Sequence, residues 1–110
     1  MNIVGNVKNK NCVIVDDIID SGGTIVNAAN ALLEKGAKDV YVYITHAVLS
    51  GEAAKKIEKS KIKKLITTDT IDNTKKVKNS KKFEIISLAP MISEAMKRIA
   101  NSTSVSSLFK

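Results

Sequence analysis

Three carboxylates and a glycine-rich turn stand together in the segment VIVDDIIDSGGT, residues 13–24. Asp16 and Asp17 are adjacent, and Asp20 precedes four residues that combine hydroxyl groups with glycines: Ser21, Gly22, Gly23 and Thr24. Glycines tolerate positive φ and let a ligand approach the backbone, and a helix that starts here would favour an anion at its N-terminus. The segment therefore predicts a phosphate-binding loop, although it has the spacing of neither a Walker loop nor a dinucleotide-binding loop.

The carboxylates indicate what else the ligand would carry. Three acids would repel a bound phosphate unless they serve another group, and adjacent carboxylates accept hydrogen bonds from the vicinal hydroxyls of a sugar. The combination predicts a ribose 5-phosphate, with Asp16 and Asp17 at the ribose and the loop at the phosphate. A divalent metal held by Asp16 and Asp17 would screen the remaining charge. The alternative is helix capping by Asp20 and Ser21, with the other two acids in solvent.

Short apolar runs that predict strands alternate with amphipathic stretches that predict helices. The first run, Cys12–Val15, is rich in β-branched residues and is typical of a strand covered on both faces. The alternation predicts an α/β fold, a three-layer, Rossmann-like parallel sheet with right-handed crossovers, formed by residues 1–110 as one domain. Further strands are predicted at 39–45, 65–68 and 83–88. Four strands are few for such a fold, so we expect the chain to be a piece of a larger unit.

The helical stretches have one apolar face each. The first helix is predicted to start with Thr24 as its N-cap and to end before Gly36, with Ile25, Ala28, Ala29, Leu32 and Leu33 on its inner face. A short charged helix at 52–60 would turn Ala53 and Ile57 inward. A last helix after Pro90 would pack through Ile92, Ala95, Met96 and Ile99. Ligands bind beyond the carboxyl ends of parallel strands, which is where the acids and glycines lie.

Composition excludes several classes of protein. The 110 residues include one cysteine, so an internal disulfide is excluded, and we expect an inert packed thiol in a reducing compartment, the cytoplasm. No apolar run approaches the roughly 20 residues of a membrane span. The net charge of +7 comes from lysines concentrated between Lys55 and Lys82. They indicate a solvated surface more than a nucleic-acid site, because aromatics are only 4% and no DNA-binding motif is present. An anionic ligand remains an alternative.

Two other positions lie at the same edge of the predicted sheet. His46 ends the second strand and could act as a base, as could Asp20, but a hydrogen-bonded structural histidine is the more economical interpretation. Asp69 and Thr70 end the third strand and are candidates for a ligand contact.

VIVDDIIDSGGT resembles the ribose-phosphate-binding signature of the type I phosphoribosyltransferase fold, with Ser21 where threonine is usual. The stretches GAKDVYVYITHAVLSGEA, TTDTI and SVSSLF are similar to the C-terminal half of ribose-phosphate pyrophosphokinases, and the resemblance covers essentially the whole chain. The pair Thr45-His46 and the SVSSLF ending favour that family over base-specific phosphoribosyltransferases.

The resemblance implies a role for each matching position. Asp16 and Asp17 would hold the ribose hydroxyls, and the 5-phosphate loop would be Asp20, Ser21, Gly22, Gly23 and Thr24. The tail residues Ser104, Ser106 and Phe109 resemble an effector site between subunits. Members of the family transfer the terminal pyrophosphate of ATP to the ribose 1-hydroxyl to form phosphoribosyl pyrophosphate. They use Mg²⁺ and assemble as dimers within hexamers.

The chain also departs from the family pattern. Asn6, Ala47 and Asp72 stand where the family commonly has Asp, Pro and Pro. More important, the family's N-terminal half, with most of the ATP pocket, has no counterpart here. We therefore expect ribose 5-phosphate binding with negligible turnover, and self-association or pairing with an N-terminal half through exposed apolar surface. The alternative is a non-catalytic sugar-phosphate-binding regulatory module that associates with an intact synthetase.

Overall fold

Four parallel strands and three α-helices alternate along residues 3–109, the part of the chain that the computed structural model describes. The elements are β1 (Asn11–Ile19), α1 (Gly23–Glu34), β2 (Asp39–Ala47), α2 (Ala53–Lys59), β3 (Lys64–Thr68), β4 (Phe83–Ile86), α3 (Ala89–Ala100) and a 3₁₀ turn (Ser106–Phe109). The strands pair in the order β1-β2-β3-β4, and every pair is parallel. The predicted parallel α/β sheet is confirmed; residues 1, 2 and 110 of the predicted domain lie outside the described residues.

Both ends of α1 depend on glycine. The N-cap is Gly22, with φ 83°, so the prediction of Thr24 as the cap is wrong. At the C-terminus the N–H of Gly36 donates to the carbonyl of Leu33 at 3.0 Å, and the N–H of Ala37 donates to that of Leu32 at 3.1 Å. These two bonds form a Schellman motif around Gly36, whose φ is +96°. The predicted glycine beyond the helix end is confirmed.

One face of the sheet is covered by α1 and α2. Ile25 and Ala29 of α1 are buried, as are Ala53 and Ile57 of α2, which confirms the predicted inner faces of both helices. They belong to one hydrophobic cluster with the sheet residues Val40, Val42, Ile44 and Leu65. Cys12 is half-buried and packs against that cluster, which confirms the predicted packing of its side chain.

The other face of the sheet is open in residues 3–109. Val15 is 74% exposed, its register partner Tyr43 is 48% exposed, and Ile86 of β4 is 53% exposed. Consecutive strand order with right-handed crossovers places the connecting helices on one side, which explains the asymmetry. The radius of gyration is 16.5 Å, against about 13 Å for a compact domain of this length. The prediction that Cys12–Val15 is covered on both faces is therefore wrong. Residues 3–109 form the sheet and the helix layer on one of its faces, and they do not form the predicted layer on the other face.

α3 also leaves its apolar face uncovered. None of its residues is buried, and Ile92, Met96 and Ile99 are 47%, 64% and 68% exposed. The predicted inward packing of Ile92, Ala95, Met96 and Ile99 is wrong within the described residues, because β4 forms the sheet edge and no element there packs on this face. No helix in residues 3–109 has the length and apolar character needed to cross a membrane.

Candidate functional site

The acids of the candidate site lie inside β1, which is longer than predicted. β1 remains paired with β2 from Asn11 to Ile19, and the register offset is constant through Asp16. In β1, every second residue is partly buried up to Ile14, but the next buried residue is Ile19, so the alternation changes phase between them. β2 shows the same change of phase between its buried residues Ile44 and Ala47. Asp16 and Asp17 occupy that interrupted stretch and are exposed. The carboxyl end of β1 therefore keeps its register with β2 on both sides of Asp17, which has no register partner itself, and the two acids contribute no core side chain.

The two acids also interact locally. The N–H of Asp17 donates to Oδ1 of Asp16 at 2.8 Å, which ties the first carboxylate to the backbone of the second residue. The other Asp16 oxygen and the whole Asp17 carboxylate retain capacity to accept hydrogen bonds. These free oxygens can accept hydrogen bonds from the hydroxyl groups of a ligand.

The segment from Asp20 to Gly23, which we call the glycine loop, leads into α1, whose first residue is Gly23. No side chain caps the helix, so the predicted alternative of capping by Asp20 and Ser21 is not what the structure shows. The first N–H groups of an α-helix have no intrahelical partners, and here the first regular bond is from the N–H of Val26 to the carbonyl of Gly22 at 3.0 Å. The start of α1 therefore presents backbone donors together with the positive end of the helix dipole.

The two glycines of the loop have different surroundings. A Cβ on Gly22 would lie 3.5 Å from Cδ1 of Ile57 and 3.7 Å from Cβ of Ala53, so this glycine is held against α2. A Cβ on Gly23 would meet nothing within 4 Å. Gly22 is thus held by the core behind the loop, while a Cβ on Gly23 would lie in open space.

The loop after β2 runs beside the glycine loop. The N–H of Val48 donates to the carbonyl of Ile19 at 2.9 Å, and the N–H of Ser50 donates to that of Asp20 at 3.1 Å. Leu49, between them, is fully buried and has φ 52°, an uncommon conformation for a bulky side chain. The strained loop is fixed to the end of β1 on both sides of Leu49.

Two residues that support this loop have no signal in the sequence. Nζ of Lys76 donates to the carbonyls of Val48 and Leu49 at 3.2 and 3.0 Å. Nδ2 of the buried Asn73 donates to the carbonyl of Ala47 at 2.6 Å. Both lie in the polar segment 69–82, which has no hydrophobic periodicity, so only the three-dimensional structure links them to the site.

His46, Thr70 and Asp69 make bonds within the chain at the same edge. Nδ1 of His46 lies 2.8 Å from Oγ1 of Thr70, which agrees with the prediction of a hydrogen-bonded histidine. Oδ1 of Asp69 accepts the N–H of Leu88 at 2.8 Å. That bond is the main reason why the pKa of Asp69 lies below its usual 3.8, with the Ser87 hydroxyl as the second cause. Asp69 thereby links the end of β3 to the start of α3.

A metal ion at this edge of the sheet would need further donor atoms from a bound substrate or from water. In residues 3–109 no group of three His, Cys, Asp or Glu side chains is placed to hold a metal ion. Mg²⁺ is commonly bound by one or two carboxylates together with substrate oxygens and water. Asp16 and Asp17 fit that arrangement and do not form a complete protein site.

The tail residues predicted as an effector site form a separate cluster anchored on α3. Oγ of Ser104 lies 3.0 Å from Oγ of Ser106, and Nη1 of Arg98 donates to the carbonyl of Ser104 at 3.1 Å. Arg98 also pairs with Glu94 through Nε at 3.1 Å. Phe109 is 69% exposed. The prediction named the serines but missed Arg98, which fixes the tail.

The chain is similar to proteins of one known family. The family model described as phosphoribosyl synthetase-associated domain matches residues 1–110. The chain belongs to this family. The ribose-phosphate pyrophosphokinases of Clostridium tetani and Bradyrhizobium diazoefficiens are each 54% identical to it over 109 residues. The crystal structure of phosphoribosylpyrophosphate synthetase from Mycobacterium smegmatis superimposes with a TM-score of 0.85 at 37% identity.

Coverage is very unequal between the chain and these relatives. The alignments include 99% of this chain but 34% of each of the two pyrophosphokinases, and the structural match includes 90% of this chain but 33% of the synthetase. This member of the phosphoribosyl synthetase-associated domain family therefore spans about a third of the length of the proteins it matches. The type of fold and the relationship to pyrophosphokinases that the sequence indicated are both confirmed.

Proposed function

We propose that this chain supplies the ribose 5-phosphate-binding part of a ribose-phosphate pyrophosphokinase. The observation that carries the proposal is the start of α1, where no side chain caps the helix, together with the exposed acids at the end of β1. The backbone N–H groups of Gly23 and Thr24 and the hydroxyls of Ser21 and Thr24 would donate to the 5-phosphate. Asp16 and Asp17 would accept hydrogen bonds from the ribose hydroxyls, and Asp20 would complete the loop.

The reaction of the whole enzyme would transfer the terminal pyrophosphate of ATP to the 1-hydroxyl of the ribose. In that reaction this chain binds and orients the acceptor sugar, because holding a reactant in place contributes strongly to such transfers. Mg²⁺, when bound, would neutralise charge on the phosphates, with Asp16 and Asp17 as the carboxylates available here. The product side of the same site would hold phosphoribosyl pyrophosphate.

Calorimetric titration with ribose 5-phosphate tests the binding function. We expect Asp16→Asn combined with Asp17→Asn to weaken binding, because amides accept fewer hydrogen bonds than carboxylates and lack their charge. Asp39→Asn is the matched control, since Asp39 begins β2 at the opposite end of the sheet. Absence of binding by the unaltered chain, or equal loss in the double variant and the control, would contradict the proposal.

Turnover requires more than this chain supplies. Phosphoryl transfer depends on positioned cations and metal around the donor nucleotide, and the chain covers about a third of its relatives. We expect negligible AMP formation when the chain is mixed with ATP, Mg²⁺ and ribose 5-phosphate. Turnover comparable with that of the Clostridium tetani relative would show that the missing regions are unnecessary.

A regulatory sugar-phosphate-binding module is the second candidate function. It is favoured by the open apolar face of the sheet, which a partner chain would cover. In either role we expect a homo-oligomer or pairing with an N-terminal half, in the cytoplasm, and an effector site at Ser104, Ser106 and Phe109. Co-expression with a full-length synthetase and affinity purification separates the roles: a stable complex whose activity responds to this chain supports regulation.

A further inference from the structure

The positive charge of the chain is concentrated in one segment. Residues 55–82 contain eleven of the 18 lysines and arginines but three of the 11 acids, so the rest of the chain is slightly negative. Some of these lysines line a concave site of about 260 Å³ between α2 and the turns at 75–80. The charged residues of that lining are Lys55, Lys75, Lys76, Lys78 and Glu58. We call it the lysine pocket.

Contacts within the chain neutralise little of this charge. Glu58, the single acid of the pocket, accepts a hydrogen bond from the hydroxyl of Ser80. Lys76 donates to two backbone carbonyls, which are not charged. Lys55 pairs with Glu52 at 3.1 Å, but both side chains are highly exposed, so the pair is weak. Among the described residues, Lys75 and Lys78 form no salt bridge.

The lysine pocket is separate from the glycine loop. Ala53 and Ile57 of α2 face Gly22 and the core, whereas Ala54, Lys55 and Glu58 line the pocket. The two sites share no lining residue, although α2 contributes to both. Lys76 joins them indirectly, because its ammonium group holds the loop after β2 that runs beside the glycine loop.

We propose that the lysine pocket binds a compact anion that carries several adjacent phosphates, as in a condensed phosphate chain. Lysine ammonium groups are strongly hydrated point charges that commonly bind phosphates, and several close together attract a polyvalent anion more than a monovalent one. A cavity of about 260 Å³ lies below the range of about 300–1,000 Å³ typical of larger organic ligands. The aromatic residue of the lining, Phe83, packs against the core, so stacking on a nucleobase is not favoured.

Calorimetric titration of the full chain with sodium tripolyphosphate, at constant ionic strength, tests this site. Lys75→Gln with Lys78→Gln should bind about tenfold more weakly, because two of the residues that line the pocket lose their positive charge. The control, Lys38→Gln with Lys97→Gln, removes the same charge from exposed positions elsewhere and should bind as the unaltered chain does. Saturating ribose 5-phosphate should leave tripolyphosphate binding in place, and orthophosphate should bind far more weakly.

Three results would overturn the proposal. Equal weakening in the two double variants would show attraction to overall charge. Displacement of tripolyphosphate by ribose 5-phosphate would assign the binding to the glycine loop. Tighter binding of a DNA duplex, with a steep salt dependence that both double variants reduce equally, would indicate a nucleic-acid surface instead. Circular dichroism of each variant shows whether a loss of binding reflects a loss of folding.

Discussion

Gly22 and Gly23 are neighbours in the chain, but their backbone conformations and surroundings differ. Alanine is therefore expected to change stability and binding differently at the two positions. Gly22 has φ 83°, a conformation that costs a residue with a side chain about 1–2 kcal/mol. A Cβ there would lie 3.5 Å from Cδ1 of Ile57, which is ordinary van der Waals contact and adds no clash. We therefore expect Gly22→Ala to lower the free energy of unfolding by about 1–2 kcal/mol.

Gly23 is the first residue of α1, and a Cβ on it would meet nothing within 4 Å. Alanine restricts the unfolded chain without straining the folded one, so Gly23→Ala should raise the free energy of unfolding by about 0.4–1 kcal/mol. The free space at Gly23 is where we propose that the phosphate lies. The added methyl group should therefore weaken ribose 5-phosphate binding while stability is kept.

Urea unfolding followed by circular dichroism measures the stability of both variants, and calorimetric titration measures their affinity for ribose 5-phosphate. Gly36→Ala is the matched control, because Gly36 has φ +96° at the other end of α1. It should be destabilised by a similar amount, about 1–2 kcal/mol, without an effect on binding beyond partial unfolding. The reasoning from loop geometry is refuted if Gly23→Ala destabilises as much as Gly22→Ala, or if Gly23→Ala binds the sugar phosphate normally.

Charge and exposure at three other positions give separate measurable outcomes. The Leu88 N–H lowers the pKa of Asp69 below 3.8, so this contact stabilises the fold above that value and is lost as pH falls through the lower folded pKa. An NMR titration of the Leu88 amide should have its midpoint below pH 3.8; a midpoint above that value contradicts the assignment. Lys76→Met should cost about 1 kcal/mol in urea unfolding by freeing the loop after β2, and the exposed Lys75→Met about half of that or less; equal costs would exclude the loop contacts as the cause. Val15→Lys, on the open sheet face, should reduce self-association in analytical ultracentrifugation; unchanged association would mean that another surface is used.

Local patterns predicted the elements because the interactions that form them are local. The helical spacing that placed Ala53 and Ile57 inward, and the glycine after α1, depend on residues within one or two turns. The end of β1 was predicted too early, because adjacent acids disfavour a strand by propensity. Pairing with β2 at Asp16 and again at Ile18 and Ile19 overrides that preference and extends the strand past the two acids. The helix start was assigned to Thr24 for a related reason, since a hydroxyl is the commoner cap and Gly22 acts through its backbone conformation.

Periodicity also could not show what covers an apolar face. The sequence correctly predicted an apolar run at Cys12–Val15 and an apolar face on α3. Val15 and Ile99 nevertheless remain exposed in the described residues. A pattern identifies the side of an element that avoids water, whereas the covering element is set by topology. The contact of Asn73 with the end of β2 spans 26 positions of the sequence, and no local signal marks it.

Under the proposed function, the position of the open face separates the binding of the sugar phosphate from group transfer. The glycine loop is supported from the covered side, by Ile57 and Ala53 of α2, and all of that support lies within the described residues. These contacts do not involve the open face of the sheet, and under the proposed function a preformed loop would lose little free energy to ordering on binding. Group transfer is different, because it requires cations aligned on the ATP phosphates. Lys76 and Lys82 donate to backbone carbonyls of this chain, and the lysine pocket lies on the far side of α2 from the loop. Under the proposed function, the sugar-phosphate site would thus be supported within this chain, and the cations for group transfer would come from other parts of the enzyme.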